Sequence, residues 1–579
     1  MKILFLTLLI SLSAHAEMQD ACLNTEHWVI KEQKSPNWLK EFHEFTAHRA
    51  QITSSFAQAI QLKRISQVMG NSDFESDFSE YWLARVLYES NLAPLAHRVF
   101  LSVFENSGNP DLKKAAFSCL ARIQMSNPDW SAPDVRLAKE LPWTEADSDA
   151  LSITLIGKED TLIHKLASSH RNLIDGINFV KNKKYTDAIV SLENFLKYLE
   201  THPTHFLSRY QDQAHLFLGR AYFSVARFKE AQDQLQKVKK TSNEQIEALS
   251  NLAWAYLLDE KYDDAIGVAL QLRTGNLRNT FVPEPMMVAA MALNEICIYP
   301  ESIRMVQTLV KDYAPIHDWL EKNKDREDGY SLATQTLKNQ STAPTKLATE
   351  WLRAPEFLTR QKEINTLIGQ AKLMESIESQ ATQEQKRITK NYLEHAGAFI
   401  QEFRITKLNL RPGQELPAQW SDRYITLKKE HRKLSQFYRA SKTWKTLARN
   451  YNKMIPQFRA QLVKKVGTDI RKKNQKMLSL LKSVRNNSDL IEVEIYNGAS
   501  QDLIWKNAHP GYEPISENLE ENKPGADHGK TWSWGHFKTS DLDDSEVWED
   551  ELGALKADVQ DHCGMKERFL KLNLSKQEG

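Results

Sequence analysis

The chain has 579 residues, and its 76 Lys and Arg residues against 75 Asp and Glu residues give a formal net charge of +1. A charge this close to zero gives no overall attraction to nucleic acid. Four cysteines are too few for a disulfide scaffold, and the length suffices for about three or four units of domain size.

The N-terminus has the pattern of a secretory signal. Lys2 precedes an apolar run over residues 3–12, and Ala14-His15-Ala16 has the small-x-small form after which signal peptidase cuts. The apolar run is too short to cross a bilayer, which takes ~20 residues. We therefore expect residues 1–16 to be removed and the remainder to be exported to the periplasm, with no transmembrane segment.

Apolar residues at helical spacing predict N-terminal helices over residues 17–77 and the start of a longer helical region at residue 78. Three prolines between residues 127 and 159 interrupt the helical pattern. We expect an irregular pair of helices in this stretch. Trp130 and Trp143 lie in this stretch, and their large apolar side chains need to be covered by other residues. The alternative is that the two tryptophans form an exposed binding site.

One set of residue types returns at a fixed offset between residues 175 and 310. Gly219, Tyr222 and Ala231 recur 34 positions later as Ala253, Tyr256 and Ala265, and Gly176 and Ala188 belong to a copy 43 positions upstream. A 34-residue period is typical of a helix–turn–helix unit. The pattern resembles the tetratricopeptide repeat (TPR), and the resemblance implies a helical solenoid over residues 78–320 that binds partners on its concave face.

Residues 321–346 have the composition of a linker. Over residues 347–487, apolar steps of three and four residues predict a long helical hairpin or coiled coil, called the arm below. Pro456 should kink or interrupt its second helix. Between Lys428 and Arg485, eighteen Lys or Arg residues stand against two acidic residues, so this half of the arm is strongly basic.

Residues 488–579 are predicted to form a small, loop-rich region, and they carry twenty acidic against nine basic residues. Residues 491–495 alternate as a strand would and also continue the helical pattern of the arm, so both interpretations stay open. We expect the acidic run Asp541–Glu551 to fold back on the basic helix between Lys464 and Lys482. The alternative is that both charge blocks face water, where exposed ion pairs contribute only ~0–1 kcal/mol each.

The four cysteines receive two interpretations. Cys119 and Cys297 lie in helical segments and are interpreted as buried small hydrophobic residues. Cys22 and Cys563 lie near opposite ends of the chain, and an oxidising compartment would permit them to pair. Their spacing alone does not decide it.

No motif in the sequence predicts catalysis. There is no nucleophile elbow, no paired-cysteine zinc spacing and no calcium loop, and residues 525–531 lack the spacing of a phosphate loop. One C-terminal region holds several metal-ligand types without ligand spacing, namely His509, Asp527, His528, His536, His562 and Cys563. We therefore assign no catalytic, cofactor-binding or metal-binding residue and expect no cofactor.

These patterns together predict an all-α chain made of a TPR-like solenoid, a helical arm and an acidic C-terminal region. The layout resembles periplasmic TPR proteins that act as adaptors in bacterial envelope machines, including those of motility and outer-membrane assembly. The resemblance implies a non-enzymatic scaffold that binds one or more envelope proteins and no specific nucleic acid. Two alternatives stay open: a cell-wall enzyme with its site in residues 488–579, and binding of an anionic cell-surface polymer by the basic helix.

Overall fold

The computed structural model describes residues 73–89, 93–126, 138–143, 147–156, 160–203, 205–273, 277–410, 413–414, 418–510, 512, 531–533, 556–559 and 561–577. These residues confirm the predicted all-α fold, and their only β structure is one pair of three-residue strands. The predicted signal at residues 1–16 and most of the predicted N-terminal helices lie outside the described residues. No described helix is both long and apolar enough to cross a membrane.

Three helices open the described chain: α1 (Asp73–Glu89), α2 (Ala93–Asn106) and α3 (Pro110–Ser126). They pack on one another through fully buried aromatic side chains at Phe78, Tyr81, Trp82, Phe100, Phe104 and Phe117. Trp143 is also buried, beside Phe117, and its indole N–H donates to the carbonyl of Ala138. Trp143 is therefore a core residue, whereas Trp130 lies outside the described residues.

A short helix α4 (Ser148–Leu155) and a 3-10 turn (Thr161–Lys165) lead into four helix pairs, called the helical array below. The pairs are α5 (Ser168–Lys181) with α6 (Tyr185–Thr201), α7 (Gln211–Ser224) with α8 (Phe228–Leu235), α9 (Gln245–Leu258) with α10 (Tyr262–Gln271), and α11 (Glu284–Glu295) with α12 (Tyr299–Asn323). Each helix contacts the next, and the first helices of neighbouring pairs also contact one another. The pairs therefore stack in chain order.

The same backbone turn joins the two helices of every pair. One non-glycine residue in each turn is left-handed, with φ between 58° and 61°, at Lys183, Ala226, Glu260 and Cys297. The next residue donates its N–H to the carbonyl five positions earlier, at Phe179, Tyr222, Tyr256 and Leu293. This bond is that of a Schellman cap, which pairs a carbonyl that the helix end leaves free. An aromatic residue then opens each second helix, at Tyr185, Phe228, Tyr262 and Tyr299.

Small residues lie where the two helices of a pair approach most closely. A Cβ atom added at Gly176 would lie 2.6 Å from Cγ of Leu192, and one added at Gly219 would lie 2.6 Å from Cγ of Leu235. The alanines of the repeat, Ala188, Ala231, Ala253 and Ala265, are fully buried, and Tyr222 and Tyr256 are buried as well.

The arm consists of two long helices, α15 (Pro355–Leu408) and α16 (Ala418–Ala508), joined by a short connection. They are antiparallel, because Phe399 near the end of α15 stacks on Tyr424, whereas Arg360 near its start reaches Asp469. Helix α16 stays helical through Pro456, where the sequence predicts a kink or an interruption. It also includes residues 491–495, so the strand interpretation of that stretch was wrong.

Two short helices connect the array to the arm: α13 (Gly329–Leu337) and α14 (Thr345–Arg353). Helix α13 lies inside the stretch 321–346 whose composition predicts a linker. Its residues Leu332 and Ala333 are buried, and the helix contacts α16. The stretch therefore contains a packed helix, because a segment from far along the chain covers its few apolar residues.

The second half of α16 first passes α13 and then runs antiparallel along α12. Gly498 lies against Tyr299 at the start of α12, and Lys482 pairs with Glu321 near its end. The buried indole N–H of Trp351 donates to the side-chain oxygen of Asn474 at 2.7 Å. One apolar core therefore continues from the array into the arm.

The C-terminal elements return to the array. Strand β2 (Lys556–Asp558) pairs in parallel with β1 (Thr531–Ser533) and contacts α10, and helix α17 (His562–Gln577) follows. Cys563 forms a disulfide with Cys297 in the turn between α11 and α12, with 5.4 Å between their Cα atoms.

The possible pairing of Cys22 with Cys563, which the sequence left open, is therefore excluded, and the interpretation of Cys297 as a buried small hydrophobic residue was wrong. Cys297 and Cys563 are 266 positions apart and become neighbours only in the folded chain. Cys119 is buried, as predicted, but it is disulfide-bonded, and its partner lies outside the described residues.

Gly219→Ala should lower the melting temperature, because Leu235 would have to move and overpacking a core typically costs ~1–3 kcal/mol. Gly369→Ala is the matched control, since nothing lies within 4 Å of a Cβ added at Gly369 in α15. Alanine is favoured over glycine in a helix interior by ~1 kcal/mol, so this control should be unchanged or more stable. Thermal unfolding followed by circular dichroism measures both. Equal midpoints would contradict the close approach at Gly219.

Peptide mapping without reductant should recover Cys297 and Cys563 in one linked peptide. Cys563→Ser and Cys297→Ser should both quicken protease cleavage within residues 556–577, because the bridge no longer restricts opening of the C-terminal helix. A Cys22–Cys563 linked peptide, or unchanged cleavage in both variants, would contradict the observed pairing.

Candidate partner-binding surface

The first helices of the four pairs, α5, α7, α9 and α11, lie side by side and form one face of the array, called the inner face below. Steps of three and four residues keep its side chains on one side of each helix. From α7 to α11 the half-buried or exposed members of this face are Phe217, Arg220, Glu247, Asn251, Trp254, Glu284 and Met291. The inner face therefore offers aromatic, apolar and charged groups together.

An ion pair crosses the inner face from α7 to α9. The guanidinium of Arg220 contacts the carboxylate of Glu247 and lies 5.8 Å from the ring centre of Phe217. Glu284 on α11 is hydrogen-bonded to Ser250, and burial raises the pKa of Glu284, with Arg220 opposing the shift and Glu247 adding to it. Arg220 pairs with Glu247 and opposes the rise in the pKa of Glu284, so two acidic side chains and one basic side chain lie together on this part of the inner face.

A cluster of two histidines and one carboxylate lies beside the array. Nε2 of His170 on α5 is 2.8 Å from Oδ1 of Asp149 on α4, and Nε2 of His205 is 3.6 Å from the same oxygen. The three potential ligand atoms all lie within 4.8 Å of one another. Imidazole and carboxylate form a donor set that zinc accepts. No sequence pattern indicated this cluster, because its members are scattered between residues 149 and 205.

The hydrogen bonds around the cluster do not fit a metal centre. The backbone N–H of Leu207 donates to Nδ1 of His205 at 3.3 Å. A neutral imidazole that accepts at one nitrogen carries its proton on the other. Nε2 of His205, which faces Asp149, therefore has no lone pair for a metal ion. Hydrogen bonds of the cluster instead link α4, α5 and the 3-10 turn Phe206–Tyr210.

The C-terminal histidines and the cysteine noted in the sequence make other contacts where the structure describes them. Cys563 is held in its disulfide, and the ring of His509 stacks on Trp505 with centroids 4.4 Å apart. The backbone N–H of His562 donates to the carbonyl of Ile296. Asp527, His528 and His536 lie outside the described residues.

Acidic residues of the segment that connects the array to the arm form ion pairs with the basic part of α16. Arg471 pairs with Glu327 at 3.2 Å, and Lys473 pairs with Glu350 at 2.8 Å. Hydrogen bonds from Lys482 and Lys324 lower the pKa of Glu321. These acids belong to residues 321–350. The acidic run Asp541–Glu551 lies outside the described residues, so its fold-back onto Lys464–Lys482 stays a prediction.

The described part of the C-terminal region contacts the last turns of α16 instead. Lys566 of α17 pairs with Asp502 and lies 5.6 Å from the ring centre of Trp505. Phe569 meets the same tryptophan edge to face. Helix α17 is therefore held by an ion pair and aromatic contacts in addition to its disulfide.

Stability should fall as the pH drops below about 6.5, the pKa of histidine in an unfolded chain. Burial lowers the pKa of His205 and of His215 in the folded protein. In acid the unfolded chain therefore binds more protons than the folded protein does, and this proton binding favours unfolding. His215 is hydrogen-bonded through Nδ1 to Oε1 of Gln234. His215→Asn keeps an N–H donor but cannot titrate. Its melting temperature should fall less than that of the wild type between about pH 7.5 and about pH 5. An equal fall would exclude a contribution from His215.

The chain matches no protein-family model and no curated protein sequence.

Proposed function

We propose that this chain is a non-enzymatic scaffold of the TPR type, which binds a protein partner through the inner face of the helical array. We further propose that it works in the periplasm as part of a cell-envelope complex, such as a motility or outer-membrane machine. The residue pattern between positions 175 and 310 motivates the TPR assignment. The same left-handed turn in all four pairs supports it.

The inner face is the observation that carries the proposal. Stacking aligns the first helices of the pairs, so one surface continues across several repeats. Trp254 and Phe217 are half-buried on that surface, and large aromatic side chains with a polar surround are typical of binding hot spots. Because Glu247 and Glu284 outnumber Arg220, the surface best fits a segment that carries basic residues beside apolar ones.

Export is supported by two independent features. Residues 1–16 have the pattern of a cleaved signal. The disulfide between Cys297 and Cys563 joins distant segments, and such bonds persist in oxidising compartments such as the bacterial periplasm.

A photo-crosslinking amino acid at Asn251 tests the binding surface in native cells. Asn251 is half-buried on the inner face, and Lys229, exposed on α8, is the matched control position. Adducts identified by mass spectrometry should form at position 251 and be absent at position 229. The proposal fails if position 251 gives no protein adduct or if both positions give the same ones.

Trp254→Ala should then weaken capture of the crosslinked partner by roughly tenfold or more, as truncation of a hot-spot aromatic does. Val190→Ala removes an exposed apolar side chain from α6, where Val190 is 59% exposed, and should leave capture unchanged. Glu247→Lys reverses a charge at an exposed position and should also weaken binding of a basic partner. Circular dichroism of each variant separates loss of binding from loss of folding.

A further inference from the structure

A stripe of apolar and basic side chains runs along one side of α15 over its last 23 residues. Alternating steps of four and three residues place the members of the stripe on one side of the helix. They are Lys386, Lys390, Leu393, Gly397, Ile400, Arg404 and Lys407, with Leu408 adjoining the last. All eight are exposed, with exposed fractions of 61% for Leu393, 51% for Ile400 and 84% for Leu408.

The stripe faces away from α16. A different set of α15 residues, also at steps of four and three, contacts α16. Tyr392 stacks on His431, Phe399 stacks on Tyr424, and Glu402 pairs with Arg423. Gly397, Arg404 and Lys407 follow these three contacting residues by five positions each, which turns them roughly 140° further round the helix. The stripe therefore lies on the outer side of the arm.

The charge of the stripe has one sign. It contains four basic residues and no acidic one over about six helical turns. The nearest acid beside it, Glu394, lies 3.8 Å from Lys390 in an exposed pair, and such pairs contribute little. The stripe therefore presents positive charge to whatever approaches it.

The exposed apolar side chains narrow the choice of partner. A soluble polyanion would be held by the lysines and the arginine alone, and it would give Leu393, Ile400 and Leu408 nothing to contact. A bilayer that contains anionic phospholipids satisfies both kinds of residue. Its headgroup phosphates attract lysine and arginine, and its acyl boundary accepts apolar side chains of a helix that lies in the interface.

We propose that residues 386–408 of α15 form a docking surface for an anionic phospholipid bilayer. The helix lies along the membrane surface without crossing it. Leu393, Ile400 and Leu408 enter the headgroup boundary, while Lys386, Lys390, Arg404 and Lys407 contact phosphates. This surface is separate from the inner face of the array.

Flotation of the purified full-length protein with lipid vesicles tests the proposal. The protein should float with phosphatidylcholine vesicles that contain phosphatidylglycerol and remain behind with pure phosphatidylcholine vesicles. Raising the salt concentration should reduce binding, because headgroup attraction is screened. Absence of flotation with phosphatidylglycerol at low salt overturns the proposal.

Two double variants separate the contributions of the stripe. Leu393→Ser with Ile400→Ser should weaken vesicle binding by about tenfold or more, since buried apolar area drives insertion. Lys390→Gln with Lys407→Gln should weaken it by roughly fivefold for each charge removed. Leu490→Ser is the matched control, because Leu490 is 65% exposed on α16 and lies outside the stripe. This control should bind as the wild type does.

The pattern among these variants identifies the ligand. If only the lysine variant loses binding, the stripe is an electrostatic patch for polyanions and the bilayer proposal is overturned. If neither double variant loses binding, the membrane contact lies elsewhere, which overturns it as well. A Leu408→Trp variant adds a direct readout. Its fluorescence should be quenched by brominated lipids when the side chain enters the boundary, and the absence of quenching in bound protein would contradict insertion.

Discussion

The close packing of α16 against the end of the helical array holds the rest of the molecule in place. Gly467 and Gly498 make it possible, because a Cβ atom at either position would collide with the carbonyl of Glu327 or the ring of Tyr299. Between them the buried indole of Trp351 relies on Asn474, and an unpaired buried donor would cost ~1–3 kcal/mol. Since α16 is also the second helix of the arm, this packing orients both the arm and the surface that receives α17.

Features that depend on neighbouring residues could be predicted from the sequence. The all-α fold follows from apolar spacing over helical segments, and the all-α prediction is confirmed. The repeat was visible as glycines and alanines at a fixed offset, and the structure places Leu192 against Gly176 and Leu235 against Gly219. The recurrent turn left a weaker trace, because lysine, alanine, glutamate and cysteine occupy its left-handed position where glycine would have been a recognisable signal.

Features that depend on distant residues could not be predicted in the same way. Composition predicted a linker at residues 321–346 because few apolar residues lie there. The helix that packs on Leu332 is α16, which comes much later in the chain. The partner of Cys563 could not be predicted, because the sequence does not show that Cys297 lies beside Cys563 in the folded chain. Part of the inner face could not be predicted from the sequence either. Arg220, Glu247 and Glu284 lie near one another only because three helices are stacked. The cluster of Asp149, His170 and His205 had no spacing to reveal it.

The disulfide between Cys297 and Cys563 closes a covalent loop that contains the entire arm. Cys297 lies in the turn between α11 and α12, and Cys563 lies at the start of α17. Tension applied between the array and the C-terminal helix would therefore pass through this bridge and through the contacts of α17 with the last turns of α16. Helix α15 and the first half of α16 lie outside that path. The part of the arm that extends away from the array is therefore shielded from a force that pulls α17 away from the array.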